Sequence, residues 1–340
     1  TFAVIVSTFF RLYENKCETI TLQKESNIAS LKEYICNVAI PTFENAIIGT
    51  ENAAYIYFFA KDIKGANISR LEDAIIKTGN AEYIYRFAMY VKGTNISRLE
   101  DAIIETWNAE YIYRFAMDIK GANISRLENA IINIGDAYYI FHFADDIKGA
   151  NISRLENAII NTGDAKHIYE FALYIKGANI SKLEDAIIET GNGSIYYFAR
   201  YVDGANISRL EDAIIETGDA EYIYHFAMYV KGTNISRLED AIIETWNAEY
   251  IYRFAMDIKG ANISRLEDAI IKTGNAKYIY RFVMDIKGVD ISKLENSIKD
   301  IVLKAMKRGF TKDVIHLRCI MSHLESNQIA DEIRFYSLFN

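Results

Sequence analysis

Nine glycines fix what this chain can become. Gly65, Gly93, Gly121, Gly149, Gly177, Gly204, Gly232, Gly260 and Gly288 stand in the same local sequence, 28 residues apart at every step except Gly177 to Gly204, which is 27. Residues 65–92, GANISRLEDAIIKTGNAEYIYRFAMYVK, are a representative copy. A strict period of this length marks an array that grows by adding copies of one supersecondary unit instead of enlarging one core. It overrides the two or three globular domains that 340 residues would otherwise suggest.

The copies read as helices. Proline, which removes a backbone donor inside a helix, occurs only once, at Pro41, a position in the first copy where a helix begins. Within 65–92 the first helix starts at Asn67 or Ser69, and Ser69-Arg70-Leu71-Glu72 has the pattern of a capping box. Ile68, Leu71, Ala74, Ile75 and Thr78 share one helical face. Gly79 suits a left-handed stop, and Asn80 can cap a second helix with Ala81, Ile84, Phe87, Ala88 and Val91 on its buried side. Lys92 then sits at the negative end of that helix and Gly93 stops it.

Helices of this length, about 15 Å, are marginal alone, and one hairpin cannot cover its own apolar faces. The hairpins must therefore stack. The expected fold is all-α, a right-handed α-solenoid of about ten two-helix repeats over residues 37–315, with an N-terminal cap in 1–36 and C-terminal cap helices in 316–340. Residues 93–120 and 232–259 are identical and their neighbours similar, which marks a block duplication.

The repeated unit resembles the tetratricopeptide and Sel1 class of solenoid in having two helices per copy, although it is shorter than the 34-residue tetratricopeptide and lacks that family's Trp-Leu-Gly-Tyr pattern. It is more specifically similar to tandem repeats of the form GANI..LEDAII.TGNAEYIY.FA.D.KG found in giant DNA viruses of the mimivirus type and in some phages. The match runs from Asn37 to about Ile298. That resemblance implies a viral helical-repeat protein of unknown activity, and it transfers no catalytic residue.

Composition narrows the function classes. A formal charge of −8 disfavours a dominant nucleic-acid role. Three separated cysteines, Cys17, Cys36 and Cys319, form no disulfide framework, as expected of a reducing compartment. The apolar run Phe2 to Phe10 is too short to cross a bilayer and lacks a basic leader, so the reading is of a chain that is not secreted and sits in the host cytoplasm or the virion. The repeated Asn-Ile-Ser sequon, at Asn67 and its equivalents, is then read as helix-start chemistry and not as glycosylation.

Between copies the buried positions hardly change, whereas the outward face of the second helix does. The candidate partner-binding face comprises Tyr83, Arg86 and Tyr90 with their counterparts Tyr111, Arg114 and Asp118; Tyr139 and His142; His167 and Glu170; Tyr222 and His225; Tyr250 and Arg253; and Tyr278 and Arg281. Tyr and Arg favour protein interfaces. The competing reading is a drifting solvent face whose tyrosines pack between copies. The function expected is non-enzymatic: a structural or scaffolding repeat protein making protein–protein contacts, self-association among them, along an elongated surface. Alternatives are an adaptor for a host factor or peptide on the variable face, and a nucleic-acid binder using the cations at Arg70, Arg98, Arg126, Arg154, Lys182, Arg209, Arg237, Arg265 and Lys293. Acids or amides three residues on, such as Asp73, favour intrahelical pairing of those cations instead.

Other constellations carry less. Trp107 and Trp246 replace the Gly79 stop and are read as turn plugs over contact anchors, with either a relaxed turn or a glycine that was never left-handed. His316, Cys319 and His323 share a helical face, but a zinc site needs a fourth ligand, so packing is expected and no metal or cofactor is assigned. Lys304, Lys307, Arg308 and Lys312 read as a solvated basic face. The five histidines are scattered, and Glu72 and Asp73 are read as capping and surface acids, not as a catalytic pair.

Overall fold

The computed structural model describes residues 35–191 and 193–290. The expectations for residues 1–34 and for everything from 291 onward, including Lys293, the His316, Cys319 and His323 face and the basic stretch, lie outside them. The chain forms two compact units, Thr1–Ala178 and Asn179–Asn340.

In the N-terminal unit a π-helical turn, Ile35–Ala39, leads into five hairpins. They are α1 (Ile40–Gly49) with α2 (Ala53–Asp62), α3 (Ile68–Lys77) with α4 (Ala81–Tyr90), α5 (Ile96–Glu105) with α6 (Ala109–Asp118), α7 (Ile124–Ile134) with α8 (Ala137–Asp146), and α9 (Ile152–Thr162) with α10 (Ala165–Tyr174). The C-terminal unit holds α11 (Ile180–Glu189) with α12 (Ser194–Tyr201), α13 (Ile207–Glu216) with α14 (Ala220–Tyr229), α15 (Ile235–Glu244) with α16 (Ala248–Asp257), and α17 (Ile263–Thr273) with α18 (Ala276–Asp285). No strand occurs among the described residues. Regular helix pairs packing neighbour to neighbour make the fold an α-solenoid.

Local chemistry sets the helix ends. The Asn67 side chain accepts the Arg70 amide at 3.2 Å, so asparagine, not Ser69, is the cap of α3. Thr78, half-buried, donates to the Ile75 carbonyl at 2.6 Å and accepts the Asn80 amide, pinning the hairpin turn. Gly79 is left-handed, with φ of 62°. Asn80 accepts the Tyr83 amide at 3.1 Å and starts α4. After the second helix of the first copy, Ile63 to Ala66 closes a β-turn that needs Gly65 at a φ of 89°.

Each first helix lies against the second helix of its own copy and, within a unit, against that of the copy before. Leu71, Ile75, Ile84 and Phe87 are fully buried and repeat in kind from copy to copy. Each such side chain contributes roughly 1.5–3 kcal/mol of burial. The core is thus continuous through successive hairpins of a unit, as stacking demands.

The deleted residue has a local outcome. In the short copy α12 has only 8 residues and no side-chain cap. A Cβ on Gly193 would meet the Tyr222 ring at 2.6 Å, so that tyrosine occupies space a full-length turn would fill.

A candidate protein-interaction surface

Three corrections to the sequence reading concern which groups are already engaged. The first is the capping box. Glu72 does not return to its own helix start. It is 2 % exposed, and it accepts the backbone N–H of Asn95 in the next copy at 2.7 Å and Arg98 Nη1 at 3.0 Å. Asn123 with Arg126 on Glu100, and Asn234 with Arg237 on Glu211, repeat the arrangement. The glutamate is a staple between copies and not the cap of its own helix, while Asp73 does lie at the surface.

The second correction is the cation row. Arg98 reaches Asp73 at 2.5 Å as well as Glu72, both in the preceding copy, and not the acid three residues on in its own helix. Arg126 likewise takes Glu100 and Asp101, and Arg209 takes Glu184 and Asp185. These guanidiniums are committed to carboxylates.

The third concerns the tryptophans. Trp107 and Trp246 do enter the left-handed region, at φ of 54° and 56°, as Glu51 does at 51° in the first copy. The turn neither relaxes nor avoids the glycine conformation. The indoles are 67 % and 62 % exposed, so they are not plugs.

On the second helices of the N-terminal unit, Tyr83 lies half-buried against Tyr57, ring centroids 5.8 Å apart, with the Arg86 guanidinium over it and Arg86 paired to Glu82 at 2.8 Å. Tyr111 repeats this against Tyr85, with Arg114 over the ring and Glu110 at 2.7 Å. Tyr139 packs on Tyr113. His142 lies 4.3 Å from the Tyr138 ring, with Nδ1 3.5 Å from Asp146. His167, mostly buried, has Nδ1 2.9 Å from Asp164, and Glu170 pairs with Lys166 at 3.6 Å.

The C-terminal unit repeats the scheme. His225 sits among Tyr196, Tyr224 and Tyr229. Tyr250 packs on Tyr224, under Arg253, which pairs with Glu249. Tyr278 is buried on Tyr252, beside Arg281, and donates to Glu249 at 2.7 Å. The Tyr83 row is therefore packing between copies, the blander of the two readings.

Sequence reasoning missed a coupling in this face. Tyr85 donates to Asp118 of the next copy at 2.6 Å, Tyr113 to Asp146 at 2.6 Å, Tyr224 to Asp257 at 2.7 Å and Tyr252 to Asp285 at 2.7 Å. In each case the donor's own copy carries Met at the Met89 position. In two of the copies followed by Tyr instead of Asp, a cation takes that place: Lys61 lies over Tyr57 and Tyr90, and Arg200 over Tyr196 and Tyr229, whereas Asp145 and Leu173 precede Tyr174 and Tyr201. Met at the Met89 position thus goes with Asp in the next copy at all four Tyr–Asp bonds. Burial and the aspartate together push the Tyr85 hydroxyl up to about 12, and the Tyr252 hydroxyl likewise.

Large apolar side chains remain exposed on these helices. Met89, Tyr90, Met117, Tyr138 and Tyr174 are exposed in the N-terminal unit, and Tyr197, Tyr201, Met228, Tyr229, Met256 and Met284 in the C-terminal unit, all on second helices. No protein-family model matches the chain, and no curated protein is similar to it. Among the described residues no cluster of three or more His, Cys, Asp or Glu is placed to hold a metal ion, and no helix is long and apolar enough to cross a membrane.

Proposed function

We propose that the chain is a non-enzymatic scaffolding repeat protein, viral by the resemblance of its repeat, that binds protein partners through the exposed Met and Tyr side chains of its second helices. The observation that carries this reading is where the exposed large apolar residues fall: among the described residues, apart from Val38, Trp107 and Trp246, they are on second helices. Exposed apolar side chains gathered on one face of a unit mark interaction sites, and Met and Tyr are favoured there. The Tyr–Asp and Tyr–Tyr contacts beneath fix that surface in place, which reduces the ordering cost of binding.

The nucleic-acid alternative draws no support from the arginine row, since Arg98 and its counterparts are held by carboxylates. An adaptor for a single host factor or peptide would use the same second-helix surface and differ in stoichiometry.

The test is mass spectrometry of proteins that co-purify with the native chain, compared with a Met89→Glu, Met117→Glu, Met228→Glu variant of unchanged helical content. Partners present with the native chain and lost from the variant support the reading. Partners retained by the variant, or retention of nucleic acid that falls steeply with salt, overturn it.

A further inference from the structure

The hairpins present two opposite edges: one where a first helix turns into a second, the other where a second helix leads to the next copy. The second edge of the N-terminal unit carries Lys64, Lys92, Lys120, Lys148 and Lys176, one per copy and all exposed. None has an ion pair or hydrogen bond among the described residues, unlike the arginine row, whose members reach the carboxylates of Glu72 and its equivalents. The first edge of the C-terminal unit carries Glu189, Glu216 and Glu244 at the ends of α11, α13 and α15, also exposed and without an ion pair among the described residues. Asp219 and the exposed indole of Trp246 lie on the same edge.

We infer that the chain associates with a second copy of itself, the lysine edge of one N-terminal unit meeting the glutamate and tryptophan edge of another molecule's C-terminal unit. Charge complementarity picks this pairing. In the N-terminal unit the positions equivalent to Glu189 hold Gly49, Lys77, Glu105, Asn133 and Asn161, one acid in five against three in four in the C-terminal unit, where Lys272 is the exception, so the N-terminal unit's first edge is the poorer match. Period picks the partner. Neighbouring lysines are separated by about one packed-helix spacing, ~8–10 Å, and a row of carboxylates with that spacing exists by construction on another copy of the same array. Phosphates along one strand of a nucleic-acid duplex come at about 3.4 Å of helix axis, a different period. Ammonium groups are attracted by carboxylates and by an indole face alike, which gives the exposed Trp246 a role that a glycine in its place could not serve. The contact is heterologous, so it can propagate from molecule to molecule. It uses neither the Met nor the Tyr side chains of the second helices.

Sedimentation velocity of the full chain tests this, at about 20 mM and at about 500 mM salt, where screening differs severalfold. The native chain is expected to associate at low salt and to dissociate at high salt, with a change of roughly tenfold or more in association constant. Lys92→Glu with Lys120→Glu and Lys148→Glu should abolish association. So should Glu189→Lys with Glu216→Lys and Glu244→Lys. An equimolar mixture of the two variants should restore it, which also shows that both fold. A native chain that stays monomeric at low salt, or a single variant that associates as strongly as the native chain, overturns the inference. The Met89→Glu, Met117→Glu, Met228→Glu variant should associate normally, which separates this failure from failure of the proposed partner surface.

Discussion

Glu72 and Asn95, in successive copies, are joined by a 2.7 Å hydrogen bond from the Asn95 backbone N–H to the Glu72 carboxylate. The bond sits beneath the solvent surface, because Glu72 is 2 % exposed. It couples the interior of one hairpin to the first turn of the next. A buried carboxylate is costly unless its acceptors are filled, and here an amide and a guanidinium fill them.

Removing such a carboxylate should be expensive. Glu100→Ala strands the Asn123 amide and leaves Arg126 with Asp101 alone. The expected loss is roughly 2–4 kcal/mol, seen as a lower urea midpoint. Glu100→Gln keeps an acceptor for the amide and should lose about half as much. Equal, negligible losses from both would mean the staple contributes little.

The tryptophan turns should improve when returned to glycine. A bulky residue held left-handed costs about 1–2 kcal/mol, part of which glycine's freer unfolded chain gives back. Trp107→Gly and Trp246→Gly should each stabilise by roughly 0.5–1 kcal/mol, measured by thermal or urea unfolding. A destabilised Trp107→Gly protein would show that the exposed indole holds the turn after all.

The short copy has a fitted partner. Gly193→Ala places a methyl 2.6 Å from the Tyr222 ring and should cost roughly 1–3 kcal/mol. Combining it with Tyr222→Ala should recover part of that loss in a double-mutant cycle. Full additivity would mean the two side chains do not compete for the same space.

Alkaline pH should loosen the second-helix surface. Tyr85 and Tyr252 are pushed up to about 12, first by burial and then by the bonds to Asp118 and Asp285. In the unfolded chain they ionise near pH ~10. Between those values the folded state holds more protons than the unfolded, so this stabilisation is whole below about pH 10 and lost as pH rises through about 12. Asp118→Asn should lower the pH at which Tyr85 ionises, read by phenolate absorbance. An unchanged titration would exclude the aspartate as a cause.

The helices were legible because period, cap and stop agree within each copy: Asn80, Gly79 and the apolar stripe through Ile84 and Phe87 all point to one boundary set. The inter-copy contacts were not legible. Ser69-Arg70-Leu71-Glu72 satisfies the capping-box pattern, yet the competing acceptor site at Asn95 lies in the next copy, and stacking brings it within reach. The same holds for Met89 and Asp118. Their variation looks like drift along the sequence, and the link between Met89 and Asp118 shows only when Tyr85 is seen between the copies. Trp107 misled because steric preference is a cost and not a prohibition: the packed hairpins on either side hold the turn against it.

Backbone hydrogen exchange at Asn95 and Asn123 is the most direct measurement of whether buried glutamates bind each copy to the next. Both amides lie at helix starts, where exchange is ordinarily fast. The expected result is strong protection in the native chain, lost at Asn95 in Glu72→Ala and at Asn123 in Glu100→Ala, with the other site still protected in each. Fast exchange at both amides in the native chain would contradict the account.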